Sequence, residues 1–148
     1  MKFSFIVFCL AILCCGKFIY AQSEYLKWKP LVINEKQKIW YDDSAIDTAN
    51  SGIFNVWILQ MHKPPLEFEE MPGKIYRSKT LYAVNLNTDK YGILKVIYYN
   101  VNNKEIYNFD YHIENYPDDL KYTYPISDNS FMHKLASQLS KANSKETN

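Results

Sequence analysis

Ile53-Phe54-Asn55-Val56-Trp57-Ile58-Leu59 is the stretch on which the fold turns. Gly52 precedes it, and β-branched or aromatic side chains fill most of its positions. Successive side chains of an extended chain point to opposite faces, so this run is apolar on both. A strand of that kind belongs inside a sheet and needs a cover. The reading extends outward to candidate strands Trp28 to Ile33, Lys38 to Tyr41, Ile53 to His62, Lys74 to Leu86, Tyr91 to Asn100 and Glu105 to His112. In the fourth of these, Tyr76, Thr80, Tyr82, Val84 and Leu86 share one side, while Arg77 and Lys79 make the other partly wet.

The breaks between strands carry turn chemistry: Asp42-Asp43-Ser44 into Ala49-Asn50-Ser51-Gly52, Pro64-Pro65 to Met71-Pro72-Gly73, Asn87-Thr88-Asp89, and Asn102-Asn103. A two-residue link at Asn102-Asn103 predicts a tight type I′ hairpin, because asparagine tolerates positive φ. The cover for the sheet is predicted at the C-terminus, where Phe131, Leu135 and Leu139 recur at helical spacing, widened by Met132 and Ala136. Ser127 or Asp128 is the expected N-cap. The fold class is therefore α+β, an antiparallel sheet of about six strands with one C-terminal helix packed on a face. Trp28, Trp40 and Trp57 are expected in its core.

The chain has 148 residues. Lys2, the apolar run Phe3 to Cys15, and Ile19-Tyr20-Ala21 before Gln22 have the form of a cleavable secretory signal over residues 1–21. The run is too short to span a bilayer. Lipidation at Cys14 or Cys15 is the rival reading of the same segment. Removing the signal leaves about 127 residues, which suits a single domain over 22–142 and a flexible tail over 143–148. All three cysteines lie inside the signal, so the remaining chain holds no disulfide, thiol nucleophile or thiolate metal site. Its charge is near neutral, which argues against nucleic acid, since such partners require a basic footprint.

Chemistry is sparse. His62, His112 and His133 lack the spacing of local metal ligands, and no glycine-rich loop or nucleophile elbow is present. No nucleophile, base and orienter can be named together, so no enzyme activity, metal or cofactor is expected. Asp42-Asp43 reads as a capped turn. Glu67, Phe68, Glu69 and Glu70 form an acidic and aromatic protrusion between prolines, and such loops between strands carry binding function. Tyrosine is in excess, at 13 residues. Tyr98 and Tyr99 must face opposite ways, which makes one of them a surface aromatic unless both faces are covered.

Taken in order, Trp28, Trp40-Tyr41-Asp42-Asp43-Ser44-Ala45-Ile46, Val56-Trp57, Tyr76-Arg77-Ser78, Val84-Asn85-Leu86, Tyr98-Tyr99-Asn100 and Pro125 before the terminal helix resemble the surface-adhesin protein E family. The resemblance implies a secreted or surface-displayed bacterial domain, a sheet of about six strands with a helix laid on it, and in some members adhesion to host proteins. The chain departs from that pattern at two cysteines, standing at Leu86 and about Leu139 or Ser140. A Leu86 to Leu139 contact is expected in place of the link. The functional expectation is an exported, non-enzymatic binding protein of the bacterial periplasm, outer surface or exterior, engaging a protein partner such as a host or matrix protein. A structural envelope domain without external ligand is the alternative, and a small hydrophobic or haem-like ligand on the tyrosine-rich sheet a third. An exposed sheet edge permits a homodimer.

Overall fold

The computed structural model describes residues 27–44, 52–113 and 115–145, the last three of these as backbone only. The secretory signal expected over 1–21 lies outside the described residues, as does Ala45-Ile46 of the family-like pattern. The elements are β1 (Trp28–Ile33), β2 (Lys38–Asp42), β3 (Ile53–Phe68), β4 (Met71–Asn85), β5 (Lys90–Tyr99), β6 (Glu105–Asp110), α1 (Asp118–Lys121), β7 (Tyr124–Pro125) and α2 (Phe131–Lys145). The six long strands form one antiparallel sheet in sequence order, and the two-residue β7 joins the outer side of β5. The α+β architecture is thus an antiparallel sheet with a C-terminal helix, and β3 is interior to it as its two apolar faces require.

The two faces of the sheet are covered differently. On one, Ile39, Phe54, Val56, Ile58 and Val84 meet Met132, Leu135 and Leu139 of α2, all at 2% exposure or less. Leu86, Tyr82 and Phe131 pack against this cluster. Burial pushes the Tyr82 hydroxyl up to about 12. On the other face, among the described residues, Ala83 and Leu94 lie at one end under Tyr122 and Ile113. Gly92 permits this approach, because a side chain there would run into the Lys121 carbonyl.

Several local expectations change. β3 and β4 run on to Phe68 and from Met71, so the stretch Pro64 to Gly73 is the end of a long hairpin with its turn at Glu69-Glu70. Beyond Met61 the arm has outrun its β2 neighbour, and on an unpaired side proline's missing N–H costs nothing. The β5–β6 link is wider than two residues. The Asn103 N–H donates to the Asn100 carbonyl at 3.1 Å, and Asn103 alone of the Asn102-Asn103 pair takes positive φ. That is a type I turn followed by a left-handed residue, which also satisfies right-handed strand twist. Ser130, one step before the helix, caps α2 through its Oγ, which accepts the His133 N–H at 3.0 Å. Finally, α2 continues to Lys145, into the stretch expected to be a flexible tail.

The tryptophans also depart from expectation. Trp28, Trp40 and Trp57 are half-buried and lie outside both buried clusters. Register explains this. Trp28 pairs with Asp42, which shares a side of β2 with Trp40; Trp40 pairs with Leu59, and Leu59 with Lys79, while Trp57 pairs with Leu81, so these side chains share the face opposite α2.

Candidate partner-binding surface

The β3–β4 arm carries Phe68 past the end of the helix-covered core and back over the sheet. Its ring centroid lies 6.4 Å from that of Tyr98 on β5. Tyr98 pairs with Tyr107 across the β5–β6 ladder, and Val96 with Phe109, so strand alternation sets Tyr98, Tyr107 and Phe109 on one face. Tyr98 meets Phe109 edge-on at 6.2 Å, and Tyr107 stacks on Phe109 at 6.2 Å. These separations are those of favourable aromatic pairs. The Tyr107 hydroxyl donates to the Pro72 carbonyl at 3.0 Å, tying the arm to β6.

The four rings are not enclosed. Phe68 is 43% and Phe109 38% exposed, and Tyr111 beyond them is 50% exposed. Phe68, Glu69, Glu70, Met71, Tyr107 and Phe109 line an open cleft of about 660 Å³. Burial, and then the nearby Tyr111, raises the Tyr98 pKa above the ordinary phenol value, so the hydroxyl stays neutral at physiological pH. Glu67 is engaged by Lys74 at 3.1 Å, which raises the lysine pKa. Glu69 and Glu70, at the turn, are exposed and have no ion-pair partner among the described residues.

Of the residues singled out by sequence, Phe68, Glu69, Glu70 and Tyr98 come together, with Glu67 at the margin. Tyr99 does not join them: it faces the other side of the sheet, where the Arg77 guanidinium lies 4.5 Å over its ring. Tyr107 and Phe109 were missed. Their signal is in the alternation of Glu105 to Asp110, and the two-residue link expected at Asn102-Asn103 already pairs Tyr98 with Tyr107, as the ladder does.

The histidines and the Asp42-Asp43 pair are engaged at separate places on the molecule. His62 Nε2 lies 3.0 Å from Ser78 Oγ, and burial lowers the His62 pKa. His112 pairs with Asp110 at 3.2 Å and His133 with Asp128 at 3.8 Å, at different places on the molecule. Asp42 is buried, accepting the Lys27 N–H at 3.1 Å and the Ser44 N–H and hydroxyl at 3.1 and 2.8 Å. This is the capped turn expected of Asp42-Asp43, with Asp43 paired to Lys29. Among the described residues no three of His, Cys, Asp and Glu are placed to hold a metal ion. No helix among them is long and apolar enough to cross a membrane.

Comparison of the chain with protein-family models, with curated proteins and with solved structures found no match.

Proposed function

We propose that this chain is an exported, non-enzymatic binding protein of the bacterial envelope or surface, and that the Phe68–Tyr98–Tyr107–Phe109 surface with its Glu69-Glu70 rim engages a protein partner. The carrying observation is that Phe68, from the end of the β3–β4 hairpin, joins Tyr98 of β5 and Tyr107 and Phe109 of β6 in an aromatic cluster outside the helix-covered core, with Phe68 and Phe109 more than a third exposed. Aromatic side chains give large, rigid contact area at little entropic cost, and a polar rim is the usual surround of such a patch. The segment 1–21 supports export. The resemblance to the surface-adhesin protein E family supports an adhesin-like role toward host or matrix proteins.

Protease treatment of intact cells, with mass spectrometry of the mature N-terminus, tests the display this requires. The exposed Glu69-Glu70 turn is the expected cleavage site on surface-displayed protein. Protection of the whole chain with an unmodified Gln22 start places the protein in the periplasm and favours the structural envelope role.

A further inference from the structure

The face opposite α2 carries a second set of features unrelated to the aromatic hairpin. Across the strands run Lys38, Met61, Arg77 and Tyr99, each aligned with the next by the ladder. The adjoining row is Trp40, Leu59, Lys79 and Ile97. Strand geometry spaces Lys38 from Arg77 by about 10 Å and Arg77 from Lys79 by about 7 Å. Arg77 stacks on Tyr99, and Lys79 Nζ lies 4.4 Å from the Trp57 centroid. These ring contacts fix the cations in place, so little of their freedom remains to be lost on binding an anion.

Arg77 Nε is buried and has no hydrogen-bond partner, and neither Lys38 nor Arg77 has a carboxylate partner among the described residues. A part-exposed guanidinium without a carboxylate partner leaves its outer N–H groups to a charge-assisted bond with an anion on this face. The acids nearby are few: Asp42 is bonded to Ser44 and the Lys27 N–H, Asp43 is held by Lys29, and Glu105 stands beyond Tyr99 on the outer strand. The row opens at Lys38 and Met61 into a cleft of about 440 Å³ that is also lined by Lys36 and Lys63 against one acid, Glu35, together with His62, Pro65 and Tyr76.

We infer that this face binds an acidic polysaccharide, its carboxylate or sulfate groups on Arg77, Lys79 and Lys38 and its sugar rings on the apolar bed of Trp40, Leu59 and Met61. The backbone groups of a sheet lie in its plane and are used by the ladder, so a peptide crossing this face gains no main-chain hydrogen bonds. A saccharide chain needs none, and its charges recur at intervals comparable with those of the three cations. A second copy would set these cations against themselves. Half-buried tryptophans do not project far enough to enter a lipid surface.

The protein's three tryptophans all lie on this face, so their fluorescence reports its occupancy. Titration of the purified protein with alginate and with heparin is expected to change that fluorescence saturably, with a strong salt dependence from counterion release. Uncharged dextran is expected to leave it unchanged. Arg77→Gln, and separately the exposed Lys38→Gln, should weaken binding by about tenfold or more with the circular dichroism spectrum retained. Phe68→Ser, on the opposite face, should bind as the parent does. The inference is overturned if neither polysaccharide changes the fluorescence, if both substitutions leave the affinity intact, or if poly-glutamate or anionic lipid vesicles bind as tightly as the polysaccharides.

Discussion

Gly92 packs so closely beneath the Lys121 carbonyl that a β-carbon on it would overlap the oxygen. The contact is between backbones, with no flexible side chain to yield. It holds α1 and Tyr122 onto Ala83 and Leu94, the smaller of the two buried clusters. Gly92→Ala is expected to destabilise the fold by about 1–3 kcal/mol or more, the range for overpacking. Urea unfolding followed by circular dichroism measures it, and a variant as stable as the parent would show that the 111–122 segment is loosely held.

The α2 helix is anchored by side chains that are almost wholly removed from water, Leu135 and Leu139 at 0% exposure. Leu135→Ala should cost about 2–5 kcal/mol through lost burial and the cavity left behind. Ser130→Ala removes the cap from the His133 N–H and should cost about 1 kcal/mol. The ratio of the two losses is the informative quantity: packing against the sheet, rather than local helix signals, holds α2 in place.

Stability should fall on mild acidification. His62 is half-buried, and its folded pKa is lowered from 6.5 by desolvation. The unfolded state therefore takes up a proton first, and folding loses free energy as pH falls below about 6.5 toward the folded value. Above that pH both states are neutral at this site and the term vanishes. Unfolding curves at pH 7.5 and 5.5 should show the difference, and His62→Gln should shrink it. An unchanged difference in that variant would assign the effect to other groups.

Much of the sheet was legible because alternation and turn residues report directly on local geometry. Ile53 to Leu59 declared an interior strand by being apolar on both faces, and Leu135 and Leu139 declared the covering helix by their spacing. What failed depended on which neighbour a residue acquires. Pro64-Pro65 reads as a break, yet the strand continues there because it has passed the end of β2. Trp28, Trp40 and Trp57 read as core by size, yet the ladder places them on the face without α2. The candidate surface was half visible. Phe68 and the glutamates stand together in sequence, whereas Tyr107 and Phe109 reach Tyr98 only through the β5–β6 register.

If the aromatic hairpin is a recognition surface and not part of the core, its removal should abolish binding and leave the fold intact. Phe68 is 43% exposed, and its replacement opens no closed cavity. Phe68→Ser should change unfolding free energy by no more than about 1 kcal/mol. The most direct measurement is adhesion of beads coated with the protein to wells of immobilised laminin, fibronectin or collagen at physiological salt, for parent and Phe68→Ser side by side. The expected result is adhesion by the parent to at least one of these proteins and a loss of about tenfold or more in the variant. Equal adhesion by both proteins, or none by the parent on any of the three, would contradict it.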